Sequence, residues 1–299
     1  MVDFAKLKEN RKSSFDKLNA ELAKLNQPTT TADSEDNFWK PDVDKAGNGY
    51  AVIRFLPAPG DEDVPFVRIW DHGFQGPGGW YIEKSLTTFG EVDPVSEYNS
   101  KLWATGMESN KDLVRKQKRR LSYFSNILVV KDPTRPENEG KVFLFKYGKK
   151  IFDKLNEAMN PEFSDETAMN PFDLWEGANF KLKIRQVEGY RNYDKSEFDT
   201  PSPISTDDAE LERIWKAEYS LQELLDKKHF KTYDELKRRL EKAIGVAEAS
   251  QHSNPFTAPE EAPAPAFRQT AAPAAATAPS AFDDDEDEDL SFFKKLAKD

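Results

Sequence analysis

The chain has 299 residues, a formal net charge of −11 at pH 7 and no cysteine. This length allows one large domain or two small ones with an extensive core, and the lack of cysteine excludes disulfides, thiolate metal sites and cysteine nucleophiles. Residues 251–299 hold ten acids against four bases, so the rest of the chain is only mildly acidic and any surface that attracts anions must come from local clusters of bases.

The first predicted element is a helix over residues 3–26, which Pro28 follows as a stop. Its apolar stripe has three- and four-residue spacing and consists of Phe15, Leu18, Leu22 and Leu25. Residues 29–34 have the composition of a linker, so the helix is either an arm with its apolar face open to a partner or a helix that folds back on the core. We favour a separate helical arm over residues 1–27. The chain shows no secretory apolar run and no stretch as long as a membrane span, which favours a soluble, cytoplasmic protein.

A mixed pattern of strands and helices extends over residues 28–245. Runs rich in β-branched and aromatic residues, bounded by Gly, Pro and Asn, predict five strands. These are residues 50–56, 64–70, 122–130, 141–147 and 178–187. Helices are predicted at 148–159, about 206–226 and 231–243. Short strands with peripheral helices favour an α+β domain built on a small barrel.

Bases and aromatic residues are interleaved at several places in this core. Residues 111–120 hold six bases against one acid and run directly into an aromatic pair. In the predicted strand at 178–187, a period of two places Lys181, Lys183 and Arg185 on one face, above an apolar opposite face. Further bases and aromatic residues are Phe143, Phe145, Lys146, Tyr147, Lys149, Lys150, Tyr190 and Tyr193.

Such a combination is typical of surfaces that bind single-stranded nucleic acid. Cations neutralise phosphates, and aromatic faces stack on unpaired bases for about 1–3 kcal/mol per base whatever the sequence. Any one basic strand face is more often ordinary solvent-exposed surface, and Phe143 and Phe180 are more often core residues. The segments taken together, with an acidic C-terminal run, favour nucleic acid.

The C-terminal part of the chain has two compositions. Residues 246–281 are dominated by Ala, Pro, Thr and Ser, which cannot bury a core and indicate a flexible linker. Residues 282–299 form an acidic tail with an amphipathic tip at Phe292-Phe293-Lys294-Lys295, apolar enough to dock on a partner. The acidic run predicts a disordered, solvated polyanion that resembles a nucleic-acid backbone. It consists of Asp283, Asp284, Asp285, Glu286, Asp287, Glu288 and Asp289.

Signatures of catalysis are weak. Gly47-Asn48-Gly49 lacks the third glycine of a dinucleotide site, and Gly76-Pro77-Gly78-Gly79 lacks the Lys-Ser/Thr of a phosphate-binding loop. The three histidines form no protease or triad pattern, so we expect no enzymatic activity. Two alternatives stay open: an adaptor or chaperone whose acidic tail binds basic partners, and a metal-dependent nuclease that uses the acidic clusters.

Several long ordered runs resemble the single-stranded DNA-binding proteins of T-even-type bacteriophages. The runs are residues 47–57, 72–74, 80–83, 122–133, 136–143, 148–151 and 175–180. The resemblance covers the N-terminal helix and nearly all of the core. It implies an OB-fold, a five-stranded β-barrel whose cleft takes single-stranded DNA, with an additional small lobe at about residues 71–105.

The resemblance also implies roles for individual residues. By position, Tyr123, Tyr190 and Tyr193 match aromatic residues of the family's DNA cleft, and Trp80, Phe124 and Phe145 lie near these positions. The basic wall of the family's cleft is matched by Arg54, Lys118, Arg119 and Arg120. Together with the bases noted above at Lys149, Lys150, Lys181, Lys183 and Arg185, these form the predicted DNA-binding set.

Both ends of the chain also resemble functional segments of the family. Arg11-Lys12-Ser13-Ser14 is similar to a basic-Ser/Thr motif that docks on the neighbouring protomer and makes binding cooperative, and residues 118–122 resemble its second copy, with Leu121 replacing a hydroxyl residue. The family's acidic tail covers the DNA site at rest and, once displaced, recruits replication and recombination proteins. The resemblance thus implies a cooperative protein that coats unwound DNA in replication, recombination and repair, in the cytoplasm of an infected bacterial host.

A zinc site found in the family is expected to be absent from this chain. Members with that site use one His and three Cys, and here His72 is kept. The cysteine positions are occupied by Ser85, Asp93 and Ser96. Hydroxyls with one carboxylate are a poor zinc set, so we predict no cofactor. Packing around three apolar residues is expected to hold the lobe instead: Trp80, Phe89 and Val95.

Overall fold

In the computed structural model, the described residues are 37–163 and 165–246. They form an α+β fold with nine strands in one mixed sheet. The strands are β1 (Phe38–Trp39), β2 (Gly49–Phe55), β3 (Val67–Gly76), β4 (Gly79–Lys84), β5 (Arg120–Lys131), β6 (Val142–Tyr147), β7 (Phe180–Val187), β8 (Tyr190–Asn192) and β9 (Glu197–Phe198). The α-helices are α1 (Pro94–Ala104), α2 (Glu108–Gln117), α3 (Lys149–Met159), α4 (Asp208–Lys216) and α5 (Tyr233–Ala243). Short 3₁₀ turns lie at Leu86–Phe89, Pro136–Asn138, Gln222–Leu225 and Lys227–His229.

The long strand β5 is the centre of the sheet. Its N-terminal part pairs with β3 and its C-terminal part pairs with β2, while β6 runs along its other edge. The strand order is β1-β6-β5-β2-β7-β8, with β4 attached to β3 and β9 attached to β7. All these ladders are antiparallel except that of β1 with β6. Because β2 and β3 pair with different parts of β5, the β3–β4 hairpin projects from the sheet beside the N-terminal part of β5.

The main core is rich in aromatic rings. Phe55, at the end of β2, is fully buried and meets Phe145, Tyr147, Phe172 and Phe180 with centroid separations of 5.6–6.4 Å. Burying side chains of this size contributes about 1.5–3 kcal/mol each, and tilted or edge contacts add to it. This core fixes the position of β5, and through β5 that of the hairpin.

The hairpin packs on α1 and α5 to form the lobe. Phe74 and Tyr81 stack in a cluster with Val95, Leu236 and Leu240. The hairpin tip lies directly on the end of α5, since a Cβ at position 78 would lie 1.7 Å from the Lys242 carbonyl oxygen. The predicted packing is confirmed at Val95, which is fully buried. Phe89 packs on Phe230 at its edge, with ring centroids 4.6 Å apart.

The prediction that Trp80 packs inside the lobe is wrong. Its side chain is 54% exposed, because β4 turns Tyr81 inward and its two neighbours outward. The buried role that we assigned to Trp80 belongs to Tyr81. This correction matters because it leaves a large ring on the surface.

The five predicted strands are confirmed as β2, β3, β5, β6 and β7, with shifted ends. Of the predicted helices, the first and last are confirmed as α3 and α5, whereas the predicted helix at about 206–226 is α4 followed by a 3₁₀ turn. In the described part of the chain no ladder joins β1 to β8, so a closed five-stranded barrel stays a prediction. None of the helices described here is long and apolar enough to cross a bilayer. The arm at 1–27, nearly all of the linker and the acidic tail lie outside the described residues.

Candidate nucleic-acid interface

One face of the β3–β4 hairpin carries exposed apolar side chains. Trp80 is 54% and Ile82 is 64% exposed, whereas Tyr81 between them is buried. Ile82 lies opposite Gly73 in the ladder, and Trp80 lies opposite Gln75. Residues opposite each other in an antiparallel pair share a face, so an indole and an aliphatic side chain stand on the same outer surface of the hairpin.

Two cations lie beside these apolar side chains. Arg120 is opposite Asp71 in the β3–β5 ladder, and its guanidinium lies over Gly73, where a Cβ would lie 1.9 Å from Nη2. The carboxylate of Asp71 bridges Arg120 Nη2 and Lys146 Nζ, each at 3.2 Å. One acid shared by two bases leaves an excess positive charge next to the exposed indole. We call Trp80, Ile82, Arg120, Lys146 and Asp71 with Gly73 the hairpin face.

The neighbouring bases have aromatic or acidic partners. The guanidinium of Arg119 stacks on the ring of Trp70 at 3.9 Å, a cation–π contact that fixes both groups. Lys118 follows the last residue of α2. Within α2, Arg115 binds Glu108 and Asp112. The basic segment at 111–120 is therefore partly neutralised within its own helix, and its end at Arg120 turns toward the hairpin face.

Four members of the predicted DNA-binding set lie in the interior and do not line a surface. They are Arg54, Tyr123, Phe124 and Phe145, all at most 7% exposed. Arg54 Nη2 donates to the carbonyl oxygens of Asp173 and Ser202 at 2.8 and 3.0 Å. Tyr123 stacks on Phe152 with centroids 4.0 Å apart. In this position they support the sheet on which the hairpin face stands, and their direct contact with DNA stays a prediction.

Basic and apolar side chains alternate along β7 as predicted, but ion pairs neutralise the charge of its basic face. Its three cations point outward above a buried apolar face. Each is paired with an acid from the segment after β8: Lys181 with Asp199, Lys183 with Glu197 and Arg185 with Asp194, at 2.9, 2.7 and 2.5 Å. Exposed ion pairs of this kind contribute only about 0.2–1 kcal/mol each to stability, so a phosphate group can displace the acids. The three pairs are neutral as they stand and present no excess positive charge to DNA.

The two tyrosines predicted near the cleft differ in exposure. Tyr190, in β8, is 52% exposed beyond a tight turn in which Glu188 and Gly189 both have positive φ. Tyr193 packs against the main core, and burial raises the pKa of its phenol against the opposing effect of Arg191. Tyr190 is therefore the more exposed ring of this pair.

Lys149 and Lys150 are the first two residues of α3, and Gly148 before them caps the helix with no side chain. Cations at a helix N-terminus oppose the helix dipole and cost stability. The same positive end attracts phosphate groups. This helix start follows directly on β6, the strand that carries Lys146 of the hairpin face.

The four residues at the family's zinc positions meet in one buried cluster. The Asp93 carboxylate lies 3.4 Å from His72 Nε2 and accepts a hydrogen bond from Ser85 Oγ at 2.9 Å. It also accepts from the backbone N–H groups of Leu86, Val95 and Ser96 at 3.0–3.2 Å. We call His72, Ser85, Asp93 and Ser96 the buried polar cluster.

This cluster does not fit a zinc ion. Burial alone would raise the pKa of the Asp93 carboxyl, but the hydrogen bonds and charge of His72, with Ser85 and the Ser96 N–H, hold it below its usual range. A carboxylate has about four lone-pair positions, and these donors already use them. His72 Nδ1 is bound to the Gln117 carbonyl oxygen at 2.9 Å, and its Nε2 faces the Asp93 carboxylate at 3.4 Å. Two hydroxyls complete a set that lacks the thiolates of a structural zinc site.

Sequence reasoning found the bases of the hairpin face but missed Ile82 and the bridging Asp71. The alternation of Trp80, Tyr81 and Ile82 was a signal for β4, and a period of two predicts that the two outer residues share a face. The exposure of that face could not be read from the sequence, because it depends on which side α1 and α5 cover.

Comparison with known proteins gives matches over most of the chain. Residues 47–244 match the family described as gp32 DNA binding protein like. The single-stranded DNA-binding protein of Enterobacteria phage T4 is 43% identical over 248 residues, which are 79% of this chain and 80% of that protein. The protein of the same description from Enterobacteria phage T2 is 43% identical over 249 residues, with the same shares. That of Escherichia phage SV14 is 46% identical over 94 residues, 30% of this chain and 83% of that protein.

The match extends from the turn before β2 to the last turn after α5, and so includes both the hairpin face and the buried polar cluster. It confirms the resemblance predicted from the sequence. The relatives are described as DNA-binding proteins rather than as enzymes, in agreement with the weak catalytic signatures. The chain belongs to the gp32-like family of DNA-binding proteins.

Proposed function

We propose that this protein binds single-stranded DNA without sequence preference and coats unwound strands in phage replication, recombination and repair. The observation that carries the proposal is the hairpin face, where an exposed indole stands beside two cations that share one acid. Cations neutralise the phosphates of the strand and the ring stacks on a base. Duplex DNA offers no free base faces, so this combination favours a single strand. The site of action is the cytoplasm of the infected host.

The proposed path of the strand follows the positive and aromatic groups near the surface. It runs over the hairpin face and on to the start of α3, and Tyr190 is a second stacking residue. The proposed contacts are Trp80, Lys118, Arg119, Arg120, Lys146, Lys149, Lys150 and Tyr190. The paired cations of β7 contribute only where phosphate displaces their acids. A small sheet branched at β5 supports the further proposal that the core is of the OB type.

The lobe is proposed to function without zinc. Its support is the buried polar cluster, in which the Asp93 carboxylate accepts hydrogen bonds from the 3₁₀ turn at Leu86–Phe89 and from the start of α1, and lies 3.4 Å from His72 in β3. The same positions hold no thiolate, since the chain has no cysteine.

The two ends of the chain extend the proposal on sequence grounds alone. Arg11-Lys12-Ser13-Ser14 is proposed to dock on the neighbouring protomer and to make binding cooperative. The acidic residues 283–289 are proposed to compete with DNA for the basic surface and to recruit replication and recombination proteins when displaced. Such competition is expected from a run of seven acids, because it presents closely spaced negative charge as a nucleic-acid backbone does.

Titration of the full chain with single-stranded DNA, followed by intrinsic fluorescence, tests the proposal. Stacking on Trp80 is expected to quench emission. Trp80→Ala is expected to remove most of the quenching and to weaken binding by about 5–150-fold, as the loss of about 1–3 kcal/mol of stacking implies. Trp103→Ala is the matched control, because Trp103 lies in α1 beside Lys111 and off the hairpin face. An adaptor that does not stack on DNA would show no quenching, and a nuclease would degrade labelled strands in the presence of magnesium.

Removal of the tail is expected to strengthen DNA binding. A version of the chain that ends at Ala281 lacks all seven consecutive acids, so its basic surface has no internal competitor. We expect it to bind single-stranded DNA more tightly than the full chain at low salt, with the difference shrinking as salt screens the competing charges. Equal affinities of the two versions at low salt would exclude competition by the tail.

A further inference from the structure

An apolar groove of about 440 Å³ lies between α4 and the loop that precedes β7. Its floor is made by side chains that are themselves buried, among them Leu174 and Leu211, at 6% and 2% exposure. Its walls are two tryptophans, Trp175 and Trp215, at 56% and 36% exposure. Large rings exposed around an apolar floor are typical of a binding site rather than of ordinary surface.

The groove is held in shape by hydrogen bonds. The Asp173 carboxylate accepts from the backbone N–H groups of Trp175 and Glu176, both at 2.7 Å. The indole Nε1 of Trp215 donates to the Ala58 carbonyl oxygen at 3.2 Å. A ligand therefore meets walls that are already positioned, which lowers the entropic cost of binding.

Acidic residues surround the groove. Asp208, in the first turn of α4, and Glu212, one turn later, belong to its lining, and Glu176 adjoins Trp175 in the chain. Glu212 is paired with Lys216, which leaves Asp208 and Glu176 as the main negative charges. A rim of this sign repels the phosphates of DNA and favours an apolar segment that carries cations.

We propose that the groove binds the tip of the chain's own C-terminal segment, residues 290–296. This stretch reads Leu290-Ser291-Phe292-Phe293-Lys294-Lys295-Leu296. Two adjacent aromatic rings match the apolar space between the tryptophans, and the two lysines that follow match the acidic rim. The tip thus combines the apolar and cationic chemistry that the groove selects.

The length of chain between the described fold and the tip permits this contact within one molecule. The 43 residues from 247 to 289 can span up to about 150 Å, whereas a fold of this size has a radius of gyration of about 17 Å. Attachment to the same chain gives the tip a millimolar effective concentration at the groove, so a modest intrinsic affinity suffices. The tip is then covered at rest by a surface separate from the hairpin face, and docking does not depend on DNA binding.

Fluorine NMR of the full chain labelled with 5-fluorotryptophan tests this docking. The six tryptophans give separate signals, and those of Trp175 and Trp215 are assigned with Trp175→Phe and Trp215→Phe. Replacing both tip rings, by Phe292→Ala with Phe293→Ala, is expected to shift these two signals and leave the other four in place. Phe282→Ala is the control, because it removes a ring from the same tail outside the tip. These tail changes leave every residue of the described fold as it is, and an unchanged circular dichroism spectrum confirms that the fold is retained.

Four outcomes overturn the inference. The signals of Trp175 and Trp215 could stay unchanged when the tip rings are removed, or shift equally with the control. They could shift on dilution of the full chain, which would make the occupant a second copy. They could respond to Leu18→Ala with Leu22→Ala, which would make the N-terminal arm the occupant. Conversely, a peptide of residues 288–299 added to the double variant is expected to restore both signals.

Discussion

Asp93→Ala is expected to lower the free energy of unfolding by about 3–5 kcal/mol, because it leaves several buried donors without an acceptor and each unsatisfied donor costs about 1–3 kcal/mol. The change leaves His72 buried without its partner and takes the acceptor from Ser85 and from three backbone N–H groups. It also removes the N-cap of α1. Urea unfolding followed by circular dichroism measures the loss.

A matched control separates the buried cluster from simple capping. Asp207 is the N-cap of α4 and accepts from Ala209 N–H, but it is exposed. Asp207→Ala is therefore expected to cost only the capping contribution, about 0.5–2 kcal/mol. If Asp93→Ala costs no more than this control, the buried polar cluster does not hold the lobe together.

Metal analysis completes the test of the zinc-free lobe. The wild-type protein is expected to contain no stoichiometric zinc, and a strong chelator is expected to leave its unfolding curve unchanged. In a structural zinc site, by contrast, much of the folding free energy comes from the metal. Stoichiometric zinc in the purified protein, or destabilisation by the chelator, would show that Asp93 acts as a ligand.

The strands and the last helix could be predicted because their residues carry a local signal. Central strands such as β5 are buried on both faces and read as continuous apolar runs. Two helices of the lobe were missed for a physical reason. α1 is short and begins at the Asp93-Pro94 cap, a signal that we read only as a lost metal ligand. α2 is so rich in charged residues that its two buried positions form no stripe.

The exposure and pairing of the candidate site residues depend on tertiary contacts that the sequence does not show. The bases of β7 look free in the sequence because their acidic partners lie beyond a turn, on a segment whose pairing depends on the fold. Arg54 was matched to the basic wall of the DNA cleft, yet its side chain is fully buried and its guanidinium donates to a backbone carbonyl oxygen. Trp80, which we also expected to pack inside the lobe, is turned outward by β4. Charge and ring type are visible in a sequence, whereas exposure and pairing are set by the packing of distant elements.

Arg120→Ala combined with Lys146→Ala is expected to weaken single-stranded DNA binding by about 10–100-fold near 0.1 M salt. Each side chain can make a charge-assisted bond to phosphate. Because that bond replaces an existing pair with Asp71, we expect a net loss of only about 0.7–1.4 kcal/mol for each side chain. The salt dependence should change as well. For single strands the slope of log affinity against log salt is about −0.7 per neutralised phosphate, so loss of two contacts is expected to flatten it by about 1.4.

Removing the charge of the shared carboxylate in the hairpin face is expected to change DNA affinity in the opposite direction. Asp71 lies 3.2 Å from both Arg120 and Lys146, and it competes with phosphate for them. Asp71→Asn is therefore expected to tighten binding and to steepen the salt dependence. Arg115→Ala is the matched control, since Arg115 is already held by two acids on α2 and its loss should change affinity less than about 2-fold. Asp71 competes with phosphate only if the phosphate binds at the hairpin face. Weaker binding by Asp71→Asn would therefore show that the strand lies on another surface of the fold. Equal losses of affinity for Arg115→Ala and for Arg120→Ala combined with Lys146→Ala would show the same.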